Sequence, residues 1–264
     1  MSRCVILSAC PVQPELKHLL RSDDFIIACD AGYRNCERLG CKPDIIVGDF
    51  DSAPCPQQNV DDIVVLPHVK DDTDTEYAAK LAAQKGFDEV LLLGALGGRR
   101  VEHTLANLCT GLGLEQRGIR AALQDERSRI TFVLPGESRC YPKEEFFYFS
   151  AFPMEGRAEG VYEKGSFYEL EDAVLTAGYP LGVSNEYAEG SSCITISTRQ
   201  GALVVVEPIA DCTLHGTFLP VRRYNGVNMS ERRGGDAGSG HSQPESAVRH
   251  SAQAVRHPQR ELNP

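Results

Sequence analysis

The sequence predicts an α/β N-terminal domain with a mostly parallel sheet, followed by an all-β sandwich domain. Short apolar runs in the first half alternate with polar or helix-periodic segments, the pattern of parallel strands covered by helices on both faces. After about residue 125 the texture changes to β-branched and aromatic stretches broken by Gly, Pro and Ser. Acidic residues close several of the early runs, and open α/β sheets bind their ligands at such strand ends.

Taken in order, the runs at residues 5–9, 25–29, 45–47, 63–66, 90–93 and 119–123 read as strands. In 70-KDDTDTEYAAKLAAQKG-86, Thr73 and Glu76 have capping-box spacing. The Thr73 hydroxyl would accept from first-turn N–H groups while Glu76 reaches back, starting a helix near Asp74 that stops at Lys85 before Gly86. The segments 129-RITFVLPGE, 145-EFFYFSAF, 161-VYEKGSFYEL, 191-SSCITISTR and 201-GALVVVEP supply the sandwich strands. This divides the chain into residues 1–125, 126–221 and 222–264. The last part has almost no apolar clusters and reads as a disordered tail, because it cannot bury enough surface to offset the entropy of ordering.

At 264 residues with 42% hydrophobic and 24% charged side chains, the composition is that of a soluble globular protein. A net charge of −10 excludes a general affinity for nucleic acid or an anionic membrane, since most of the surface would repel either. The ten cysteines are scattered and form no CxxC pair, which leaves zinc unsupported and points to reduced thiols in a cytoplasmic protein. The apolar stretch at the N-terminus is too short for a span and merges into a strand pattern.

Two acidic groups follow putative parallel strands. In 44-DIIVGDFDS-52, Asp49 and Asp51 directly follow an apolar run, and Asp71 and Asp74 come a few residues after the next one. Macrodipole capping alone accounts for Asp72 and Glu76. If the other four converge on one sheet edge, their mutual repulsion calls for a hard cation, and magnesium fits because it takes one or two carboxylates and leaves room for phosphate oxygens. A third feature, 94-GALGGRRVEHTLANL-108, runs from a strand through Gly94, Gly97 and Gly98 to Arg99 and Arg100, then into a helix with His103 and Asn107 on one face. Glycines admit an anion to backbone N–H groups, and arginine binds phosphate as a fork. The stretch is neither a Walker loop nor a dinucleotide fingerprint.

Together, 30-DAG, 43-PDIIVGDFDS, 70-KDDTDTEYA, 94-GALGGRRVEHTLAN and 183-VSNEY resemble, in order and spacing, the motifs of the thiamine pyrophosphokinase family. The resemblance covers roughly residues 4–208. It implies a homodimer with shared active sites, in which ATP lies on the α/β domain and thiamine in a cleft completed by the partner's β domain. It implies magnesium held by Asp49, Asp51, Asp71 and Asp74, with Asp30, Gly97, Gly98, Arg99 and His103 lining the nucleotide and Ser184 and Asn185 meeting thiamine. The implied reaction moves a diphosphoryl group from ATP to the thiamine hydroxyl, releasing AMP, with Arg99 neutralising phosphate charge and Asp71 or Asp74 accepting the proton. The alternatives are a pyrophosphokinase for another hydroxymethyl heterocycle such as a pterin, and a non-catalytic nucleotide or thiamine sensor. This chain departs from the pattern at Glu102, where the family has Asp before the histidine. It also has no tryptophan, and offers Val204 to Val206 where some members stack an aromatic residue on thiamine.

Overall fold

A computed structural model describes residues 2–49, 62–67, 71–143 and 148–209. Asp51 and the tail expected at 222–264 lie outside the described residues.

The first half carries β1 (Arg3–Leu7), β2 (Phe25–Cys29), α1 (Tyr33–Leu39), β3 (Ile45–Gly48), β4 (Asp62–Val65), α2 (Asp74–Gln84), β5 (Glu89–Leu93), α3 (Val101–Gln116) and β6 (Arg120–Gln124). All six strands are parallel, in the order β6-β5-β1-β2-β3-β4. In β1, β2, β3 and β5 the near-continuous apolar sequence follows from burial on both faces, whereas Ile63 and Val65 of the edge strand β4 are exposed. In β1, Cys4 and Ile6 join the core under α2 and α3, while Val5 and Leu7 join the core under α1. The first strand begins two residues earlier than its apolar run. Arg3 can enter it because its guanidinium holds the buried Asp24 carboxylate through two hydrogen bonds of 2.7 and 2.6 Å.

The second half adds β7 (Ser128–Val133), β8 (Ser138–Pro142), β9 (Tyr148–Pro153), β10 (Arg157–Lys164), β11 (Leu170–Thr176), β12 (Asn185–Glu186), β13 (Cys193–Ser197) and β14 (Leu203–Pro208). One layer, β11-β10-β13-β8, is a separate antiparallel sheet. The other layer is continuous with the parallel sheet, because β7 pairs antiparallel with β6 and then leads to β14, β9 and β12. Residue 125, where the composition changes, therefore marks a reversal of strand direction within one ten-stranded sheet.

Alternation along β14 shows how that sheet serves two cores. Val204 and Val206 face the helix-covered core, whereas Leu203 and Val205 face the sandwich core with Phe149, Val161 and Ile196. Val204 to Val206 are thus packing residues. The strand β8 and the strand β11 were not separated by sequence pattern. Both are mostly polar or half-exposed, so period and hydrophobicity say little there.

An ion pair joins the sandwich to the helical layer. Arg139 on β8 donates to both carboxylate oxygens of the buried Glu115 on α3, at 3.0 and 2.6 Å, and Glu115 also accepts from the Ala121 N–H. Among the described residues no helix is long and apolar enough to cross a membrane.

Candidate active site

The carboxyl ends of β1, β2 and β3 meet the N-terminus of α2. Thr73 is the N-cap of that helix, and its hydroxyl accepts from the Glu76 N–H at 3.1 Å. Glu76 does not reach back as a capping box would. Its carboxylate accepts from the Thr110 hydroxyl on α3 at 2.7 Å, a tertiary partner that competes successfully with the local one. The first turn is anchored to two strands: the Thr75 and Ser8 hydroxyls lie 2.9 Å apart in the interior, and the Cys29 thiol donates to the Asp74 carbonyl at 3.5 Å.

This anchoring brings three of the sequence-predicted acids to one region. Asp30 follows β2 directly, with a left-handed φ of 47°, a conformation that side chains other than glycine rarely adopt and that concentrates at functional sites. Asp49 follows β3, and glycine before it suits the close packing there: a Cβ on Gly48 would sit 3.1 Å from the Asp30 Cα, tighter than an ordinary contact. Asp74 opens α2. The Cys29 thiol registers the local field, being pushed well above its usual range by burial first and then by the negative charges of Asp74 and Asp30. Asp71 precedes the cap and is exposed, while Asp72 pairs with Lys80 at 2.6 Å.

Among the described residues no group of three or more His, Cys, Asp or Glu side chains is placed to hold a metal ion on its own. The hard carboxylate donors at this edge nevertheless suit a cation that takes only one or two protein ligands and completes its shell with phosphate oxygens.

The glycine loop lies next to this region, after β5. Gly94 has φ 65°, and a Cβ there would come within 2.5 Å of the Cys10 carbonyl and 2.7 Å of the Ser8 carbonyl, so only glycine lets the loops after β1 and β5 touch. Gly97 and Gly98 are exposed with φ 72° and 82°, and Arg99 is exposed beyond them. The loop is tied to α3 at two points. The Thr104 hydroxyl contacts the Gly97 N–H at 3.1 Å, and the buried Asn107 donates to the Ala95 carbonyl at 2.7 Å. His103 is half-buried on the first turn of α3. Glu102 is exposed and accepts from the Arg100 Nε at 2.7 Å, which holds its carboxyl below the usual range.

Sequence reasoning missed Asn35. Fully buried in α1, it donates to the Ser8 and Cys10 carbonyls, both at 2.8 Å, and accepts from the Val12 N–H at 3.2 Å. It thereby fixes the loop after β1 under the glycine loop. The available signal was a poor helix former inside a short helix, 33-YRNCERL.

Ser184 and Asn185 lie far along the sequence, at the start of β12. Ser184 is exposed with a left-handed φ of 54°, and its N–H donates to the Ser150 hydroxyl at 3.0 Å. Asn185 is buried, and its carboxamide is used internally. Nδ2 donates to the Glu163 carboxylate and the Tyr168 carbonyl, both at 2.8 Å, while Oδ1 accepts from the N–H groups of Tyr168 at 3.1 Å and Glu186 at 2.9 Å.

Comparison with known proteins decides the family. The sequence models for "Thiamin pyrophosphokinase, catalytic domain" and "Thiamin pyrophosphokinase, vitamin B1 binding domain" match residues 16–123 and 139–203. The chain belongs to the thiamin pyrophosphokinase family. The first match contains Asp30, Asp49, Asp74 and the glycine loop of this family member, and the second contains Ser184 and Asn185. A thiamine pyrophosphokinase of Bacillus subtilis is 27% identical over 198 residues, covering 73% of this chain and 91% of that protein. Among solved structures, the thiamin pyrophosphokinase of Geobacillus thermodenitrificans superposes with a TM-score of 0.70 at 26% identity, covering 80% of this chain and 99% of the other. The thiamin pyrophosphokinase of Candida albicans shares the fold, with a TM-score of 0.65 at 13% identity over 79% of this chain and 89% of its own.

Proposed function

We propose that this chain transfers the diphosphoryl group of ATP to the hydroxyl of thiamine, giving thiamine diphosphate and AMP. The observation that carries this reading is the placement of Asp30, Asp49 and Asp74 around the ends of β2, β3 and α2, beside an anion-admitting glycine loop. Residues 1–125 would bind the nucleotide and residues 126–221 the thiamine, with the site shared between two copies in a cytoplasmic homodimer.

In the proposed reaction the hydroxyl oxygen of thiamine attacks the β-phosphorus of ATP, the bond from that phosphorus to the α–β bridging oxygen breaks, and AMP leaves. Such transfers pass through loose transition states by analogy with γ-phosphoryl transfer, so the protein mainly positions groups and stabilises charge. Asp49, Asp51, Asp71 and Asp74 would hold magnesium. A bound magnesium ion neutralises charge on the phosphate oxygens. Asp30, Gly97, Gly98 and His103 line the nucleotide, and the exposed Arg99 offers its guanidinium to the phosphates. Asp71 or Asp74 accepts the hydroxyl proton, Asp71 being the more exposed of the two. Ser184 and Asn185 form the thiamine segment.

The test is incubation with ATP, magnesium and thiamine, followed by mass identification of products. AMP with thiamine diphosphate is expected. ADP with thiamine monophosphate would move the attack to the γ-phosphorus, and binding of both ligands without AMP would make the chain a sensor. Turnover of a hydroxymethyl pterin in preference to thiamine would transfer the reading to that substrate class.

A further inference from the structure

Glu163, met above only as a partner of Asn185, has no role in the proposed reaction. It lies on β10 with no exposed surface, its Oε2 accepts from Asn185 Nδ2 at 2.8 Å, and its Oε1 has no hydrogen-bond partner among the described residues. Burial pushes its carboxyl up to about 7, and the Asn185 hydrogen bond opposes that only in part. A carboxylate kept in such a place costs stability, so its orienting effect on Asn185 is the feature to explain.

The hydrogen bonds give that effect a geometry. Asn185 Nδ2 faces two acceptors, Glu163 Oε2 and the Tyr168 carbonyl, and its Oδ1 faces two donors, the N–H groups of Tyr168 and Glu186. Flipping the carboxamide would set oxygen against oxygen and N–H against N–H at all four contacts. Above about pH 7 the carboxylate is ionised and accepts only, so it enforces the orientation seen. The amide in turn grips the backbone of Tyr168 at both N and O, and the neighbouring Phe167 N–H donates to the Glu186 carbonyl at 2.7 Å. What this lock presents to solvent is the strained Ser184 and an exposed aromatic pair, Phe167 and Tyr168, whose rings stand edge to face with centroids 4.8 Å apart. A hydroxyl beside a fixed aromatic edge suits a flat heterocycle with polar substituents.

We propose that Glu163 is a positioning residue for the organic co-substrate: acting through Asn185, it holds Ser184 and the Phe167–Tyr168 edge in the arrangement that receives the heterocycle. The proposal rests on the reading of the site as a thiamine site, and it assigns Asn185 a role inside the fold, away from the ligand.

The experiment is steady-state kinetics of Glu163→Gln and Ser150→Ala. The first keeps the size of the side chain but loses the acceptor-only character. The second removes the hydroxyl that receives the Ser184 N–H, from the opposite side of the same segment. Each is expected to raise KM for thiamine about tenfold, the size of one weakened hydrogen-bonded contact, with kcat and KM for ATP within about twofold of wild type. A merely structural role would lower the folded fraction and so kcat, without moving KM. Wild-type KM for thiamine in a folded Glu163→Gln protein would overturn the proposal. Should that variant fail to fold, an unchanged KM in Ser150→Ala would overturn it instead. Hydrogen exchange of the 183–187 segment separates this proposal from the function on which it rests. If the wild-type protein forms no AMP from thiamine, the functional reading fails, while at least tenfold faster exchange in Glu163→Gln still upholds the lock and unchanged exchange removes it.

Discussion

Acidic side chains at the carboxyl edge of the parallel sheet and the buried Glu163 in the sandwich represent the same chemistry in two environments. At the edge, Asp49 and Asp74 are half-buried at the ends of secondary elements and Asp71 is exposed, so solvent reaches the region in which the proposed reaction needs a cation and phosphates. In the sandwich, Glu163 is sealed from water and is held by a single neutral amide. The difference teaches that half-burial at an edge leaves a carboxylate within reach of an outside group, the role proposed for the first set, whereas a sealed one acts only through the internal order it imposes.

The comparison can be broken most decisively at the edge. Asp74→Asn, and equally Asp49→Asn, should reduce AMP formation about 100-fold or more, since charge neutralisation at phosphate is worth several kcal/mol. The far-ultraviolet circular dichroism should stay as in wild type; turnover near the wild-type rate would remove these carboxylates from the chemistry. Next comes the contact between the halves. Arg139→Ala strands the Glu115 carboxylate in the interior and should lower the unfolding free energy in urea by about 3 kcal/mol.

The Glu163 side of the comparison is sharpened by pH. Its folded value of about 7 lies above the unfolded value of 4.5, so the unfolded chain ionises first as pH rises. Wild-type stability relative to Glu163→Gln should be greatest below pH 4.5, fall between 4.5 and 7, and be flat above 7. The total loss is about 3 kcal/mol, at about 1.4 kcal/mol for each unit. A difference between the two proteins that does not vary with pH would show that burial does not penalise the charged form of Glu163. Thr73→Ala, which removes the cap of α2, should cost about 1 kcal/mol. Glu102→Ala should be the mildest, leaving the melting temperature unchanged, because both members of its pair with Arg100 are exposed.

Much of the parallel half was legible because its inner strands are buried on both faces and therefore largely apolar, as in β2 at Phe25–Cys29, found at its predicted bounds. Thr73 was legible as a cap because capping is local in sequence. Glu76 was misread for the opposite reason: its partner, Thr110, is 34 residues away on another helix. Asn35 and Glu163 carried no motif, since the carbonyls and amide that define their roles come from elements distant along the chain.

By itself the sequence determined the alternation of strands and helices in the first half, the change of texture near residue 125 and the motifs that place the chain in its family, because periodicity, capping and short spacings are properties of neighbouring residues. Only the tertiary structure decided that one sheet runs through both halves, that the Asn185 amide turns inward, and that a carboxylate lies sealed behind it. Burial and hydrogen-bond partnership depend on which distant segments are brought together, and linear spacing does not encode them.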